Sequence, residues 1–561
     1  MALFPPLLTI VLIVPVLAGL LGVLLPSFGY LPWLGFDRVS LDPWRSLLET
    51  PGLAWSVWLS LKSGLLAAAL SLAVVALFLA AFHGTGPFRV ARRFLSPLLS
   101  VPHAAAALGL AFLVAPSGWI MRLVSPELTG FERPPDYLVV HDAYGLTMTA
   151  GLVAKEIPFL FLMALAALPQ IDFRRDLWIA SSFGYGRIAG WLFVVFPQVY
   201  RQIRLPVFAV LAYSVSVVDV AIILGPTTPP PLAVRLVTWM NDPDLSLRLQ
   251  ASAGAVLQLL VAALAVGLWL ALERGIAALG RLALQKGWRF AADRVLRIFA
   301  FAAMFTALLA IAVGLALMAV WSVAGPWRFP DAWPAMVSFR VWTGRLASIE
   351  AAVAATALIG ILAVLIGIGM VLAALEARNR ASARNPLSRP LVVALYAPLL
   401  VPQVAFLFGL QVVFLRLGLD STLTALVLVH LVFVLPYMVF SLVEPWKAWD
   451  PRYAVVAHAL GHGANSVFWR IRLPMLFRSV LTAAAVGFAV SASQYLPTLL
   501  IGGGRWATTT TEAVALSTGG NRRLIGAYAL MQMVLPFIGF LLAAALPAIV
   551  FRRRRGLWVH S

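Results

Sequence analysis

Long apolar runs separated by short polar segments repeat from one end of the chain to the other. A helix needs about 20 apolar residues to span the hydrocarbon core of a bilayer, whereas a membrane β-barrel shows short alternating segments. The pattern therefore predicts an all-α integral membrane protein. Its twelve candidate spans lie near residues 6–27, 55–82, 96–116, 143–166, 204–226, 250–273, 298–323, 350–375, 391–415, 421–443, 480–502 and 525–551.

Two of these spans contain interruptions. The fourth carries the pair Lys155-Glu156, for which we favour mutual neutralisation or pairing with other helices, and the ninth contains Pro402. The first apolar run has no basic residue before it and is followed by further spans. We therefore expect a retained membrane helix there and not a cleaved signal peptide.

The composition narrows the class of protein further. Of 561 residues, 62% are hydrophobic and 11% are charged, and the net charge is +20. Such a charge in a soluble domain would suggest nucleic-acid binding, but no segment here is long enough for one, so we expect contacts with membrane lipid and no nucleic acid. The chain has no cysteine, and its histidines show no metal-ligand spacing. We expect no metal and no cofactor in this chain.

The basic residues predict the orientation in the membrane. If both termini lie on one side, the loops of that side hold 27 of the 42 Lys and Arg, and the loops of the other side hold thirteen. Cytoplasmic loops carry an excess of Lys and Arg. The distribution therefore predicts that both termini are cytoplasmic, and the run Arg552–Arg555 assigns the end of the chain to that side.

The two halves of the chain are internal repeats, and their equal orientation makes them parallel repeats. The offset between matching residues falls from 300 to 277 along the chain, so about 23 extra residues lie in the first half, in the predicted outer loop 117–142. The matching pairs include Pro102 and Pro402, Gly109 and Gly409, Pro158 and Pro436, and Asp172 and Asp450.

The repeats define two pseudo-symmetric halves of six helices each. The first half is residues 1–273, with a core of about 55–273, and the second is residues 298–561, with a core of about 346–551. The basic segment 274–297 is predicted to join them as a cytoplasmic linker.

One polar loop signature occurs in both halves, 277 residues apart. A small residue is followed four positions later by Gly and thirteen positions after that by Pro, and each copy lies on the predicted cytoplasmic side. Gly is suited to a turn, and Pro is suited to the first turn of the next span. The alternative interpretation of the signature is two ordinary amphipathic cytoplasmic loops. The residues are Ala180, Gly184 and Pro197 in the first copy and Ala457, Gly461 and Pro474 in the second.

This signature resembles the EAA loop of ABC importer permeases, and the chain is similar to two fused type I permease domains. Within that family it looks most like the Ynj-type, thiamine and ferric-iron permeases. The resemblance implies an inner-membrane pore working by alternating access, two copies of an ATPase docked on the loops, and a periplasmic or lipid-anchored solute-binding protein. The family's leading Glu is absent, because Trp178 and Val455 occupy its positions, and this puts the polar contact of that Glu in doubt.

No phosphate-binding loop is present in the sequence. A Walker A motif needs Gly-Lys followed by Ser or Thr, and none of the four lysines, Lys62, Lys155, Lys286 and Lys447, follows Gly in this way. We therefore expect that the chain is not an enzyme and that ATP hydrolysis takes place on a separate subunit.

Polar residues inside the spans are candidates for the solute path, because such residues are costly in a membrane and often functional. Ser216 and Asp219 can share one helical face, as can Ser491 and Gln494. Asp219 is predicted to line the path, to pair with a nearby Arg, or to lie at the outer boundary. If it lines the path, it mildly favours a cationic solute.

Two other classes of protein stay open on the sequence alone. A secondary transporter can also have twelve spans in two repeats, but it has no need of two EAA-like loops. A membrane-embedded enzyme or scaffold would need a catalytic cluster near the membrane boundary, and the sequence shows none.

Overall fold

A computed structural model of the protein describes residues 3–289, 293–381 and 386–551. Arg384 and the predicted basic run Arg552–Arg555 lie outside the described residues. Helices make up nearly all of the first half. They are α1 Phe4–Ser27, α2 Asp42–Glu49, α3 Leu53–Phe82, α4 Gly86–Leu99, α5 His103–Val114, α6 Trp119–Val124, α7 Leu146–Ala167, α8 Phe173–Ser182, α9 Arg187–Gly190, α10 Phe196–Ser216, α11 Asp219–Leu224, α12 Leu232–Met240 and α13 Leu247–Gln285.

The second half repeats this order. Its helices are α14 Asp293–Ser322, α15 Arg340–Gly344, α16 Leu346–Arg380, α17 Arg389–Leu400, α18 Gln403–Arg416, α19 Leu423–Ala448, α20 Arg452–Ala459, α21 Ala464–Val467, α22 Leu473–Met475, α23 Phe477–Ala492, α24 Leu496–Gly502, α25 Thr509–Ser517 and α26 Arg522–Val550.

Nine helices of the described residues are long and apolar enough to cross a membrane, or up to eleven if each of two bent pairs counts as one span. The all-α membrane architecture is thus confirmed, whereas the count of twelve stays a prediction. The helix α10 is not among the nine, because Arg201, Gln202 and Arg204 make its first turns polar.

The second half matches the first element by element. Short helices α9 and α21 share one register, and so do α12 and α25, each pair being offset by 277 residues. The main difference is an insertion after α5, where α6 and its flanking loops precede α7, while a short turn separates α18 from α19. The predicted linker 274–297 is largely helical, because α13 continues to Gln285 and α14 begins at Asp293.

The first helix of each half packs on the other half. Helix α1 crosses α18 at Gly22 and Gly409, where a Cβ on Gly22 would lie 2.7 Å from the Gly409 carbonyl oxygen. Helix α14 crosses α5 in the equivalent way at Gly314 and Gly109. Small residues permit such close backbone approach between membrane helices. The two halves are therefore interlocked by a reciprocal exchange of helices.

The fifth predicted span of each half, 204–226 and 480–502, is broken. Helix α10 ends at Ser216 and α11 begins at Asp219, with Val217 extended between them at ψ 137°. The predicted sharing of one helical face by Ser216 and Asp219 therefore does not hold. In the second half α23 ends before Gln494, and Pro497 in the first turn of α24 cannot donate a backbone hydrogen bond to continue the preceding helix.

Candidate functional site

The first loop signature forms a helical hairpin of α8 and α9, and a glycine makes the turn between them. At the end of α8 the Tyr185 N–H donates to the Ala180 carbonyl at 3.2 Å, and the Gly184 N–H donates to the Ser181 carbonyl at 2.9 Å. This is the Schellman ending of a helix. Gly184 has φ +80°, which side chains disfavour. Ala180 is buried against Gly190 of α9, where a Cβ would lie 3.1 Å away.

The second loop signature has the same backbone. The His462 N–H donates to the Ala457 carbonyl at 2.9 Å, and the Gly461 N–H donates to the His458 carbonyl at 3.0 Å. Gly461 has φ +81°, and no atom lies within 4 Å of a Cβ placed there. This glycine is needed for its left-handed backbone conformation and not for close approach to a neighbour.

The second arm of each hairpin also repeats. After α9 and α21 the chain makes π-helical turns at Trp191–Val195 and Phe468–Arg472, again 277 residues apart. Pro197 lies in the first turn of α10, and Pro474 lies in α22, after which the chain bends by 72° into α23. Each proline therefore lies where the loop enters its next long helix.

Both hairpins expose apolar side chains at matching positions. Trp178 is 80% exposed and Phe183 is 64% exposed in the first hairpin, and their counterparts Val455 and Leu460 are 67% and 73% exposed in the second. Beside α20 lies a groove of about 550 Å³ lined by Tyr453 and other residues of the second hairpin. The two hairpins thus present apolar side chains at the same positions.

The first hairpin is attached to the bundle through carbonyl groups and through the linker. The Arg187 side chain donates to the carbonyls of Ala80 at 3.1 Å and His83 at 2.7 Å, at the end of α3. The Ile188 N–H donates to the Asp293 carboxylate at 3.3 Å. Burial and the charges of Arg187 and Arg174 lower the pKa of His83.

The second hairpin is attached by a buried ion pair. Arg472 donates to the Glu376 carboxylate of α16 at 2.8 Å and lies 4.0 Å from the centre of the Trp449 ring. Both charged side chains are almost fully buried, at 6% and 4% exposed. Arg380 pairs with the same carboxylate at 2.8 Å and donates to Asn465 in the hairpin at 2.9 Å.

Apart from the hairpins, a cluster of buried polar groups lies inside the bundle, between the halves. The His103 ring is 3.1 Å from the Glu156 carboxylate and 4.7 Å from the centre of the Tyr213 ring, and the Tyr213 hydroxyl donates to Asp219 at 3.5 Å. From the second half, Tyr495 interacts electrostatically with Asp219. The partner of Asp219 in the described residues is thus a tyrosine and not the arginine that the sequence allowed for.

The other predicted path residues have different surroundings. The Ser216 hydroxyl donates to the Ala212 carbonyl at 2.8 Å, and Ser491 is bonded to His430 at 2.8 Å. Gln494 lies at the break before α24, next to Tyr495 of the buried cluster. Gln494 therefore precedes a residue of this cluster along the chain, whereas Ser491 is bonded to His430 of α19.

Sequence reasoning missed His103 and Tyr213 as members of this cluster. The sequence does contain one signal for His103, namely its position in the repeat. His103 follows Pro102 just as the polar residue Gln403 follows Pro402 in the other half. Lys155 is directed to the Leu98 carbonyl at 3.3 Å. Across residues 3–289, 293–381 and 386–551, no group of three or more His, Asp or Glu side chains is arranged to hold a metal ion.

Similarity to curated proteins covers nearly the whole chain. The inner membrane ABC transporter permease protein YnjC of Escherichia coli (strain K12) is 31% identical over 520 residues, which are 92% of this chain and 93% of that protein. The molybdenum transport system permease protein ModB of Mycobacterium tuberculosis, and that of Mycobacterium bovis, are 31% identical over 195 residues, 33% of this chain and 70% of theirs. No protein-family profile and no solved structure matches the chain.

Proposed function

The chain belongs to the family of ABC transporter permeases, and on that premise we propose that each hairpin docks into one copy of a separate ATPase subunit. The protein is a permease subunit of an ABC importer, a multi-pass protein of the inner membrane and not itself an enzyme. Permeases of this family associate with ATPase and binding-protein partners. Family membership also favours the ABC permease over the secondary transporter that the sequence left open.

One observation carries the docking proposal: the exposed apolar residues occupy matching positions in two hairpins with the same backbone. Trp178 with Phe183, and Val455 with Leu460, leave an apolar face on each hairpin that no described residue covers. A two-fold pair of identical ATPase subunits needs two such faces in equivalent geometry. The apolar Trp178 and Val455 replace the polar contact that the family's Glu would make.

The proposed orientation follows from the docking. Both hairpins, and with them both termini, lie on the cytoplasmic side, where ATP is available. ATP and its hydrolysis belong to the ATPase subunits, and this chain needs no cofactor of its own. A solute-binding protein delivers the solute on the opposite side. Residues 1–273 and 298–561 act as the two halves of the pore.

The proposed solute path runs between the halves and opens alternately to each side. Asp219 and Gln494 lie where the broken helices α11 and α24 meet the interface, and Ser216 and Ser491 precede the same breaks. Broken membrane helices expose backbone groups only where protein or a water-filled cavity satisfies them. The shared position of the two breaks supports this assignment.

The docking is tested by charge substitutions on the apolar faces. Leu460→Glu and Phe183→Glu, each in the full chain, are expected to abolish co-purification of the ATPase subunit while membrane abundance is retained. Leu128→Glu is the matched control, because Leu128 is 82% exposed in the insertion on the opposite side of the bundle. Wild-type ATPase recovery with both hairpin variants would refute docking at these faces.

A further inference from the structure

A cavity of about 460 Å³ lies between the two halves, on the side opposite the hairpins. From the first half it is lined by Phe112, Arg122 and His141, and from the second half by Arg522 and Ile525. Arg122 belongs to α6, in the insertion that the second half lacks, and Arg522 begins α26. The cavity thus depends on both halves and on the one large asymmetry between them.

Arg122 is fixed by backbone oxygens. It is 5% exposed, and it donates from Nε to the Ser117 carbonyl at 3.0 Å and from Nη1 to the carbonyls of Arg328 and Asp331 at 2.7 and 3.0 Å. These are all its hydrogen bonds in the part of the chain that the structure describes. Because guanidinium has five N–H donors, the two protons on Nη2 are left for another acceptor.

Arg522 is directed to the same place from the other half. It donates from Nη1 to the Ser117 carbonyl at 2.7 Å, so two guanidinium groups share that one oxygen. Both also lie against the ring of Trp321, at 5.7 Å for Arg122 and 5.3 Å for Arg522. The shared oxygen and the shared ring hold the two positive charges side by side.

The pair has little negative charge to balance it. Neither arginine forms a salt bridge with any of the described residues. Asp331 interacts with Arg122 at longer range, and the charge of Arg122 acts on Arg522. Carbonyl oxygens and aromatic rings compensate a positive charge only in part. Buried charges without a counter-charge are costly, and a bound anion would offset that cost.

We propose that this cavity binds a small oxyanion, either inorganic or a carboxylate, and that this anion is the solute as it enters the permease. The proposal rests on the function proposed above and adds the class of substrate. Guanidinium groups match oxyanions through paired, charge-assisted hydrogen bonds. The cavity volume lies within the range of small-molecule sites, about 300–1,000 Å³.

A free solute fits this geometry better than an acidic side chain of a docked binding protein. Arg122 is recessed, at 5% exposed, beneath the loops of both halves. A side chain on a rigid partner would have to reach past those loops, whereas a small solute enters the cavity whole. The experiment must therefore distinguish loss of anion binding from loss of binding-protein docking. A variant that loses only the docking would favour the acidic side chain over the free solute.

The carboxylates deeper in the bundle do not oppose this assignment. Glu156 faces His103 at 3.1 Å and interacts with the charge of Lys155, and Asp219 accepts from Tyr213. Their charges are engaged within the buried cluster. The cationic solute that Asp219 suggested in the sequence is replaced by an anionic one in this proposal.

The test measures anion binding to the purified full chain in nanodiscs. Ligand binding raises the unfolding midpoint by mass action, so sulfate, phosphate and acetate are titrated against chloride at constant ionic strength. We expect at least one oxyanion to raise the midpoint in a saturable way and chloride to leave it unchanged. Arg522→Gln is expected to weaken that oxyanion by about tenfold or more, since it removes a charge-assisted contact.

Arg505→Gln is the matched control, because Arg505 is exposed on the same side of the protein and lines no part of the cavity. It should bind the oxyanion as the wild type does, and Arg522→Lys should retain part of the binding. The proposal is overturned if no oxyanion acts beyond chloride, if Arg522→Gln binds like the wild type, or if Arg522→Gln loses only capture of the binding protein.

Co-purification of the ATPase subunit with Arg522→Gln separates this proposal from the function on which it rests. We expect full recovery of the ATPase, since the cavity and the hairpins lie at opposite ends of the bundle. Anion binding without any ATPase recovery from the wild type would refute the docking function and leave the cavity assignment standing.

Discussion

The two hairpins have the same backbone but different attachments to the bundle. Gly184 and Gly461 have the same left-handed φ, and both hairpins end in a π-helical turn at the same register. The first is attached through carbonyl groups and Asp293 of the linker, and the second through the buried pair of Arg472 and Glu376. The hairpin backbone is thus repeated in both halves, whereas each attachment is adapted to its neighbouring helices.

Breaking the buried ion pair of the second hairpin should change stability more than any other variant considered below. Glu376→Ala leaves Arg472 and Arg380 without their shared carboxylate, and an unpaired buried charge costs about 3 kcal/mol or more. We expect a lower unfolding midpoint and faster amide exchange in the second hairpin but not in the first. The measurements are thermal unfolding and hydrogen exchange on the purified chain.

A double variant sharpens this test. Arg472 corresponds to Val195 in the first hairpin, so Arg472→Val together with Glu376→Leu makes the buried part of the second attachment apolar. Arg380 keeps its hydrogen bond to Asn465 in this variant. We expect this variant to recover much of the lost stability, because apolar residues often replace a buried ion pair without loss. If Glu376→Ala by itself leaves the midpoint unchanged, the ion pair does not hold the hairpin.

The next effect concerns the shared turn. Gly461→Ala and Gly184→Ala place a Cβ on a left-handed residue, which costs about 1–2 kcal/mol, and the two variants should lose similar stability.

Gly461→Glu and Gly184→Glu are expected to abolish uptake while the protein is still inserted in the membrane. Uptake and ATPase co-purification are measured together, and wild-type values of both would contradict the docking assignment.

A smaller effect is expected at the first attachment. Asp293→Ala removes the acceptor of the Ile188 N–H, and a hydrogen bond of this kind contributes about 1 kcal/mol. Exchange of the Ile188 amide should accelerate, while that of Asn465, at the same position in the second hairpin, should not change. Equal acceleration at both amides would mean that the attachments are not independent.

The smallest effect depends on pH. The lowered pKa of His83 means that the folded state favours neutral imidazole, so stability is complete above pH 6.5 and falls as the pH drops toward the lowered value. His83 packs 4.9 Å from Phe173 of α8, so acid should loosen the first hairpin and not the second. Hydrogen exchange across this range should show no such pH dependence in His83→Phe.

The sequence predicted the features that are local or repeated. Gly184 and Gly461 lie at turns, and their spacing from Ala180 and Ala457 could be read directly. The attachments could not be predicted, because Arg472 and Glu376 are 96 residues apart and nothing local links them. The break after Ser216 was missed as well, since Val217 and Val218 continue the apolar run and only the backbone shows the interruption.

The exchanged helices impose an order on biosynthesis. Gly22 of α1 is made 387 residues before Gly409, the residue it packs against. At translation rates of about 5–20 residues per second, roughly 20–80 s pass between the synthesis of α1 and that of α18. Helix α1 therefore completes this packing only after α14 to α18 of the second half have been made. Cutting the linker of the finished protein would leave two fragments held together by the exchanged helices.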